Sequence, residues 1–394
     1  MKPVGLTLKR SPKKRPLFNS FMPQVLADGS LAPPMEKASF RGSGLSPQQF
    51  FAQIETLFAG AALKTSPLER CYHIADHEFR LQFANVVLAE KIAPALEHNC
   101  VDNVGNDALT VQIWDSVGSE TPMPDTPWDN TEYSIRNEIR GWSDARFRTT
   151  FHMGSGVLTL LDLEQRRAIW WIRDANELPY YESGAPFLTL FHAWMSTRSS
   201  RPRRLMHAAA IGNQSGGVLI VGRSGSGKSS TALQTFNSNL LYTGDDYCLV
   251  SDDDGTFRAH SLYSSGKVHA SDVAHFGHLH SCLSNQKTMH DEKALFFLGD
   301  SWRHKLIDNF PIRAILLPRV TNFGEPHFAP LSRAQALLAL APSTIFQLPN
   351  AGRETFDWLS HLVKNIPAFT LHLGAHRSDV LPAIERFLKE NYGV

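Results

Sequence analysis

Apolar and polar positions repeat with two periods along this chain, and the places where one period yields to the other outline its elements. From residue 46, SPQQFFAQIETLFAGA sets Phe50, Ile54 and Phe58 at helical spacing, and Ser46 ahead of Pro47 marks a helix start. FRLQF (79–83) alternates like a strand, ANVVLAEKIAPALEH reads as a helix broken near Pro94, and LTVQIW (109–114) is another strand. Residues 116–150 are polar and rich in Pro, Asp and Thr, which predicts a long loop. VLTLLDL (157–163) and AIWWI (168–172), joined by EQRR, predict a hairpin, and GAPFLTLFHAWMS predicts a helix.

The basic, proline-containing stretch RSSRPRR (198–204) interrupts this pattern, and beyond it the order becomes strand, loop, helix, strand. AILLPRV (314–320) reads as a buried strand, SRAQALLAL (332–340) as a helix opening at Ser332, and VLPAIERFLKEN as the last helix. The expected architecture is α/β with two domains: an α+β accessory module at 46–200 and a nucleotide-binding domain at 201–394. Residues 1–45 are set apart. Lys2, Lys9, Arg10, Lys13, Lys14 and Arg15 stand there among prolines 3, 12 and 16 with no acid in the first sixteen residues, which predicts a disordered basic tail.

Composition narrows the function. The 394 residues carry 39 Lys and Arg against 38 Asp and Glu, a net charge of +1, without the basic excess of a general nucleic-acid binder. No apolar run is long enough for a membrane span, and no secretory signal opens the chain. The four cysteines (71, 100, 248 and 282) form no CxxC pair, so reduced thiols and a cytoplasmic setting are expected.

The strongest chemical signal is GGVLIVGRSGSGKSST (216–231). Gly222-Arg223-Ser224-Gly225-Ser226-Gly227-Lys228-Ser229 fits G-x-x-x-x-G-K-[ST], between an apolar strand at 218–221 and a helix-forming run that begins around Ser230. Glycines at 222, 225 and 227 let the backbone turn N–H groups toward phosphate oxygens. Lys228 would neutralise the outer phosphates, and Ser229 would offer its hydroxyl to Mg²⁺. Such a loop needs an acid at a neighbouring strand end, and LLYTGDDYCLV (240–250) supplies Asp245 and Asp246. Asp252-Asp253-Asp254-Gly255 reads as a turn.

The string HAAAIGNQSGGVLIVGRSGSGKSSTAL resembles the catalytic domain of HPr kinase/phosphorylase, a bacterial serine kinase whose core is similar to that of phosphoenolpyruvate carboxykinase. His207 stands 15 residues before Gly222, and Asp245 stands 17 after Lys228, as in that family. The resemblance spans about residues 205–250. It implies a P-loop kinase-like fold, ATP and Mg²⁺ as cofactors, Asp245 as the base that deprotonates an acceptor hydroxyl, Asp246 near the metal, and His207 beside the transferred phosphate. SLYSSGKV (261–268) resembles a Tyr-x-x-x-Lys stretch of related serine kinases, which places Lys267 within reach of the γ-phosphate. Arg319, after the strand at 314–320, is a candidate for stabilising transition-state charge. A second family signature, Glu-x-Arg-Gly, does not follow the Asp pair, so HPr itself is not implied as the acceptor.

The remaining constellations add less. His269, His275, His278, His280 and Cys282 lack the spacing of a zinc site and read as a polar helix or loop. No LSGGQ-like, N/TKxD-like, GxSxG or HExxH motif is present, which disfavours transport ATPases, GTPases, hydrolases and zinc proteases. The expected activity is phosphoryl transfer from ATP to a hydroxyl, a serine of a protein or peptide. A nucleotide-gated binding module, a plain ATPase and a small-molecule kinase stay open as alternatives, as does a homo-oligomer.

Overall fold

A computed structural model describes residues 44–394 except 129–131, 135, 198–201, 322 and 350. The basic tail therefore lies outside the described residues apart from Gly44 and Leu45. Within Gly42–Val394 the chain packs as one compact unit around two large sheets.

Seven strands build the first sheet: β1 (Leu68–Ile74), β2 (His77–Phe83), β3 (Cys100–Val101), β4 (Leu109–Asp115), β5 (Phe147–His152), β6 (Val157–Asp162) and β7 (Arg167–Ile172), in the order β3-β1-β2-β4-β7-β6-β5. Four helices accompany them: α1 (Pro47–Lys64), α2 (Val86–Ile92), α3 (Tyr180–Gly184) and α4 (Leu188–Thr197). α1 starts where expected. Ser46 accepts from the Gln49 N–H, while the Gln49 side chain caps the Ser46 N–H, a reciprocal pair that satisfies two otherwise orphaned donors. Phe50, Ile54 and Phe58 then pack with Trp114, Trp128 and Trp142 on one face of the sheet. The helix ANVVLAEKI stops at Ile92, and Pro94 lies in a short 3₁₀ turn (Ala93–Ala95), because proline cannot donate to the preceding turn.

Two expectations here need correction. The segment 116–150 is not loop throughout: β5 opens at Phe147 and pairs antiparallel with β6, and its two threonines hide a strand within polar composition. The helix expected from Gly184 begins at Leu188 instead. Pro186 intervenes and Phe187 has a positive φ of 59°, so the chain turns before the helix starts.

The second sheet, of nine strands, holds β8 (Arg204–Met206), β9 (Ala209–Asn213), β10 (Gly216–Ile220), β11 (Leu241–Gly244), β12 (Cys248–Asp253), β13 (Thr256–His260), β16 (Asn309–Arg319), β17 (His327–Pro330) and β18 (Ala368–His372). β14 (Ser265–His269) and β15 (Lys293–Phe297) form a separate hairpin. The helices are α5 (Lys228–Leu233), α6 (Arg333–Ile345), α7 (Arg353–Asn365) and α8 (Val380–Tyr392). α6 begins after Ser332 and runs past the expected end at 340, with Pro342 inside it. The strand at 314–320 reaches back to Asn309 and ends one residue earlier, at Arg319. The histidine-rich stretch forms a 3₁₀ run (Ala270–Cys282), and no cluster of three metal-ligating His, Cys, Asp or Glu side chains occurs among the described residues. Asp252 accepts the Gly255 N–H at 2.7 Å in the β12–β13 turn.

The register of the second sheet gathers several chain ends at one edge. β10 runs parallel to β16, with Ile220 opposite Leu316, and β16 runs parallel to β18, with Arg319 opposite His372. β9 is antiparallel to both β10 and β11, with Ala209 opposite Ile220 and Ala210 opposite Gly244. The end of β10, the start of β9 and the end of β11 therefore meet. Gly222, His207 and Asp245 lie one or two residues beyond those three ends.

Candidate functional site

The loop after β10 is shaped by its glycines. Gly222, Gly225 and Gly227 have φ of 136°, 79° and 101°, a region that costs an L side chain about 1–2 kcal/mol. Space adds to conformation at two of them. A Cβ on Gly222 would meet Ser226 Oγ at 2.9 Å and Leu317 Cδ1 at 3.0 Å, and one on Gly227 would meet Leu373 Cδ1 at 2.8 Å. The loop is thus wedged between its own backbone and the ends of β16 and β18. Arg223 and Ser224 are exposed, while Ser229 and Ser230 are half-buried. α5, which follows, is only six residues long and passes into a 3₁₀ turn (Gln234–Asn237).

Lys228 is 6% exposed and folds back onto the loop, donating from Nζ to the Gly222 carbonyl at 2.6 Å. Burial lowers its pKa, and Asp245 and Asp246 pull it back up. The two aspartates follow β11, where the β9–β11 register shifts between Tyr242 and Gly244. Asp246 then has a positive φ of 69°, a conformation Asp tolerates better than most residues. A register irregularity followed by a left-handed residue sends neighbouring carboxylates in different directions.

Their environments differ accordingly. Asp245 is 2% exposed. Burial and the Asp246 charge raise its pKa, against the opposing pull of Ser229, Lys267 and Lys228. Its Oδ2 accepts the Lys267 N–H at 3.4 Å. The Ser229 hydroxyl faces the carboxylate closely enough to favour its charged form, but no hydrogen bond of good geometry reaches the buried Oδ1. Asp246 is saturated instead. His207 Nε2 lies 3.0 Å from its Oδ1, and Lys267 Nζ donates to its Oδ2. Burial alone would raise the Asp246 pKa, but Lys267 and His207 outweigh it and hold the carboxyl well below the usual range.

The structure therefore brings Lys228, Ser229, Asp245, Asp246, His207 and Lys267 together. Ser229 meets Asp245, while Asp246 meets the histidine and the second lysine. Arg319 sits at the end of β16 with its side chain exposed. Pro318, the residue before it, is 3.9 Å from a Cβ placed on Gly227, so Arg319 borders the loop.

Three further groups escape sequence reading. The Tyr247 ring lies 5.3 Å from that of His207, and its hydroxyl donates to Gln347 at 2.5 Å, which braces the histidine. Thr243 Oγ1, two residues before Asp245, is buried with no hydrogen-bond partner among the described residues. Tyr180, on α3, senses both Lys267 and Asp246 electrostatically, although it is far from them in sequence. Only Tyr247, next to the Asp pair, carried a local signal.

A phosphorylated ligand and a divalent ion suit the donor set present. Ser226 Oγ and Asp245 Oδ1 are buried polar atoms with no hydrogen-bond partner among the described residues, and the loop glycines leave no side chain over their own N–H groups. A surface groove of about 410 Å³ lies elsewhere, on the first sheet between Gln82, Thr110, Gln112 and Arg166, and shares no residue with this cluster.

No protein-family model matches the chain, and no curated protein does. Among solved structures it is similar to the Hpr(Ser) kinase/phosphatase from Coxiella burnetii, at 9% identity and a TM-score of 0.29, over 48% of this chain and 99% of that one. No helix among the described residues is long and apolar enough to cross a membrane.

Proposed function

We propose that the protein is an ATP- and Mg²⁺-dependent kinase that transfers the γ-phosphate to a hydroxyl, a serine of a protein or peptide. Residues 201–394 carry the nucleotide in this reading, and 46–200 act as the accessory module. One observation bears most of the weight: Asp245 is buried beside Ser229 and Lys228 with one carboxylate oxygen unused. A carboxylate kept from its full set of partners is available to take a proton. Its raised pKa makes it a better base than a surface aspartate once it is ionised.

The other residues divide the remaining tasks. The loop from Gly222 to Ser230 and Lys228 grip the phosphates, and Ser229, with Asp246 nearby, would hold the metal, which supplies charge neutralisation between the outer phosphates. Asp246 holds Lys267 and His207 at the γ-phosphate side, where both present protons to developing negative charge. Arg319 stands at the rim to add positive charge. Phosphoryl transfer asks little more of a protein than this positioning and neutralisation.

The test pairs calorimetry with labelling. Titration of the protein with ATP and magnesium should release heat, and γ-labelled ATP with a cell extract should yield a labelled macromolecule whose bond survives acid, as a serine ester does. Absence of heat would overturn nucleotide binding. Heat with no labelled acceptor would overturn the kinase reading and leave a nucleotide-binding module or ATPase.

A further inference from the structure

Ser155 lies in the turn that joins β5 to β6, next to Met153, which is 66% exposed. Glycines flank it at 154 and 156. The Ser155 hydroxyl is nevertheless fixed from two sides: it donates to Glu182 Oε1, on α3, at 2.8 Å, and its oxygen lies 2.7 Å from His152 Nδ1. The Ser155 backbone N–H also donates to His152 Nδ1, at 3.1 Å.

The same short helix reaches the phosphate site. Gly184 ends α3, and a Cβ placed on it would stand 3.7 Å from Lys267 Cδ. Ser265, two residues before Lys267, donates from its hydroxyl to the Gly184 carbonyl. Glu182, two residues before Gly184, has a side chain only 13% exposed, and its carboxyl senses Lys267 as well as His152 and Ser155. The middle of α3 thus holds a serine hydroxyl through Glu182, and its C-terminal end packs on the lysine that completes the transfer cluster.

We infer that Ser155 is a phosphoryl acceptor within its own chain, a modification site on the accessory module. Ser155 Oγ bonds to the γ-phosphorus as the bond from that phosphorus to the β–γ bridging oxygen breaks. The bridging oxygen keeps the electron pair and leaves on ADP, and the hydroxyl proton passes along its existing hydrogen bond to Glu182 Oε1. The flanking glycines give the turn the freedom to approach the site, and Glu182 orients the hydroxyl from α3. This inference rests on the reading of the loop at Gly222 as an ATP site.

The full-length protein is incubated with ATP and magnesium, its intact mass is followed, and the modified residue is mapped by fragmentation. The expected result is a gain of one phosphoryl group at Ser155. It should be lost in Ser155→Ala, recovered on the new hydroxyl in Ser155→Thr, and slowed about 10²-fold in Glu182→Gln. The rate per molecule should not depend on protein concentration; a rate that rises with it would overturn the intramolecular route. ATP binding seen by calorimetry with Ser155 left unmodified, or with the phosphate on another residue, would overturn the inference and leave the nucleotide site standing. No ATP binding at all would overturn both.

Discussion

Asp162 on the first sheet and Asp245 beside the second are equally hidden, at 1% and 2% exposure, yet the protein treats them in opposite ways. Asp162 receives Arg146 through both Nε and Nη2 and the backbone N–H groups of Glu164 and Gln165. Burial pushes its pKa up, but those donors more than reverse the push, and it is lowered. Asp115, in the same sheet, is bound as fully, by Asn85, Gly118 and Ala175. Asp245 has a single backbone donor at 3.4 Å and an oxygen with none, and its pKa is raised. Burial alone says nothing about role. A buried acid with every lone pair engaged holds the fold, whereas one left short stores reactivity at a cost in stability.

The largest break in this contrast should come from Lys228→Ala. Lys228 is buried among the loop carbonyls and next to the acids. Its loss is expected to cut ATP turnover by at least about 10²-fold, checked by phosphate release, because a preorganised charge at the phosphates is among the strongest catalytic contributions. Turnover unchanged within a factor of two would show that the cluster is structural, like that around Asp162.

Removing charge from the two aspartates in turn tests the comparison directly. Asp245→Asn should keep ATP binding and lower phosphoryl transfer about 10²- to 10⁴-fold. Asp162→Asn should leave transfer intact and cost about 1–3 kcal/mol of stability at pH 7, read from urea unfolding, as its charge-assisted bonds weaken. The pH dependence has opposite signs. The lowered pKa of Asp162 contributes stability that is present above the unfolded value of about 3.9 and is lost as pH falls through the folded value. The raised pKa of Asp245 contributes stability below about 3.9 that is lost as pH rises through its folded value. Asp245→Asn should therefore be no less stable than the wild type at pH 7. If it unfolds as easily as Asp162→Asn, Asp245 is a structural acid.

How much of this is legible without coordinates follows the same divide. The loop from Gly222 to Ser229 and the spacing to His207 and Asp245 depend on strands a few residues long that adjoin one another, so local pattern is enough to place them. The partition of roles between the aspartates is not local. It depends on a register irregularity before Gly244 and a left-handed Asp246, and nothing in the letters Asp-Asp tells which one will meet Ser229 and which will meet Lys267. Ser155, His152 and Glu182 come together only because α3 packs across the β5–β6 turn, a contact between segments 27 residues apart. β1 escapes the pattern because LERCYHI mixes charges into a strand with an irregular inside-outside pattern.

A smaller effect sharpens the account of the loop. Gly227→Ala would put a Cβ 2.8 Å from Leu373 Cδ1 at a φ of 101°. The strain is expected to cost about 1–3 kcal/mol, seen as a lower urea midpoint. Because the same loop would bind phosphate, ATP affinity should fall with it. A variant that loses stability but binds ATP normally would separate the shape of the loop from its proposed task.

The smallest expected effect compares one device used in both regions. Ser46 and Ser332 each open a helix with the same reciprocal bonding to a glutamine three residues on. Either serine replaced by alanine should cost about 1 kcal/mol, because the cap is a local exchange of a hydroxyl for an orphaned N–H. Both changes should leave ATP binding untouched, since neither helix start adjoins the loop at Gly222 in the contacts described. The two unfolding midpoints should shift alike if the two sheets melt as one unit, as their shared core implies: Leu205, Tyr247 and Tyr263 of the second region pack in the same cluster as Tyr72, Phe79 and Phe187 of the first. A shift in only one of two separable transitions would mean instead that the regions unfold independently, and that the contact of α3 with Lys267 can open without unfolding the nucleotide site.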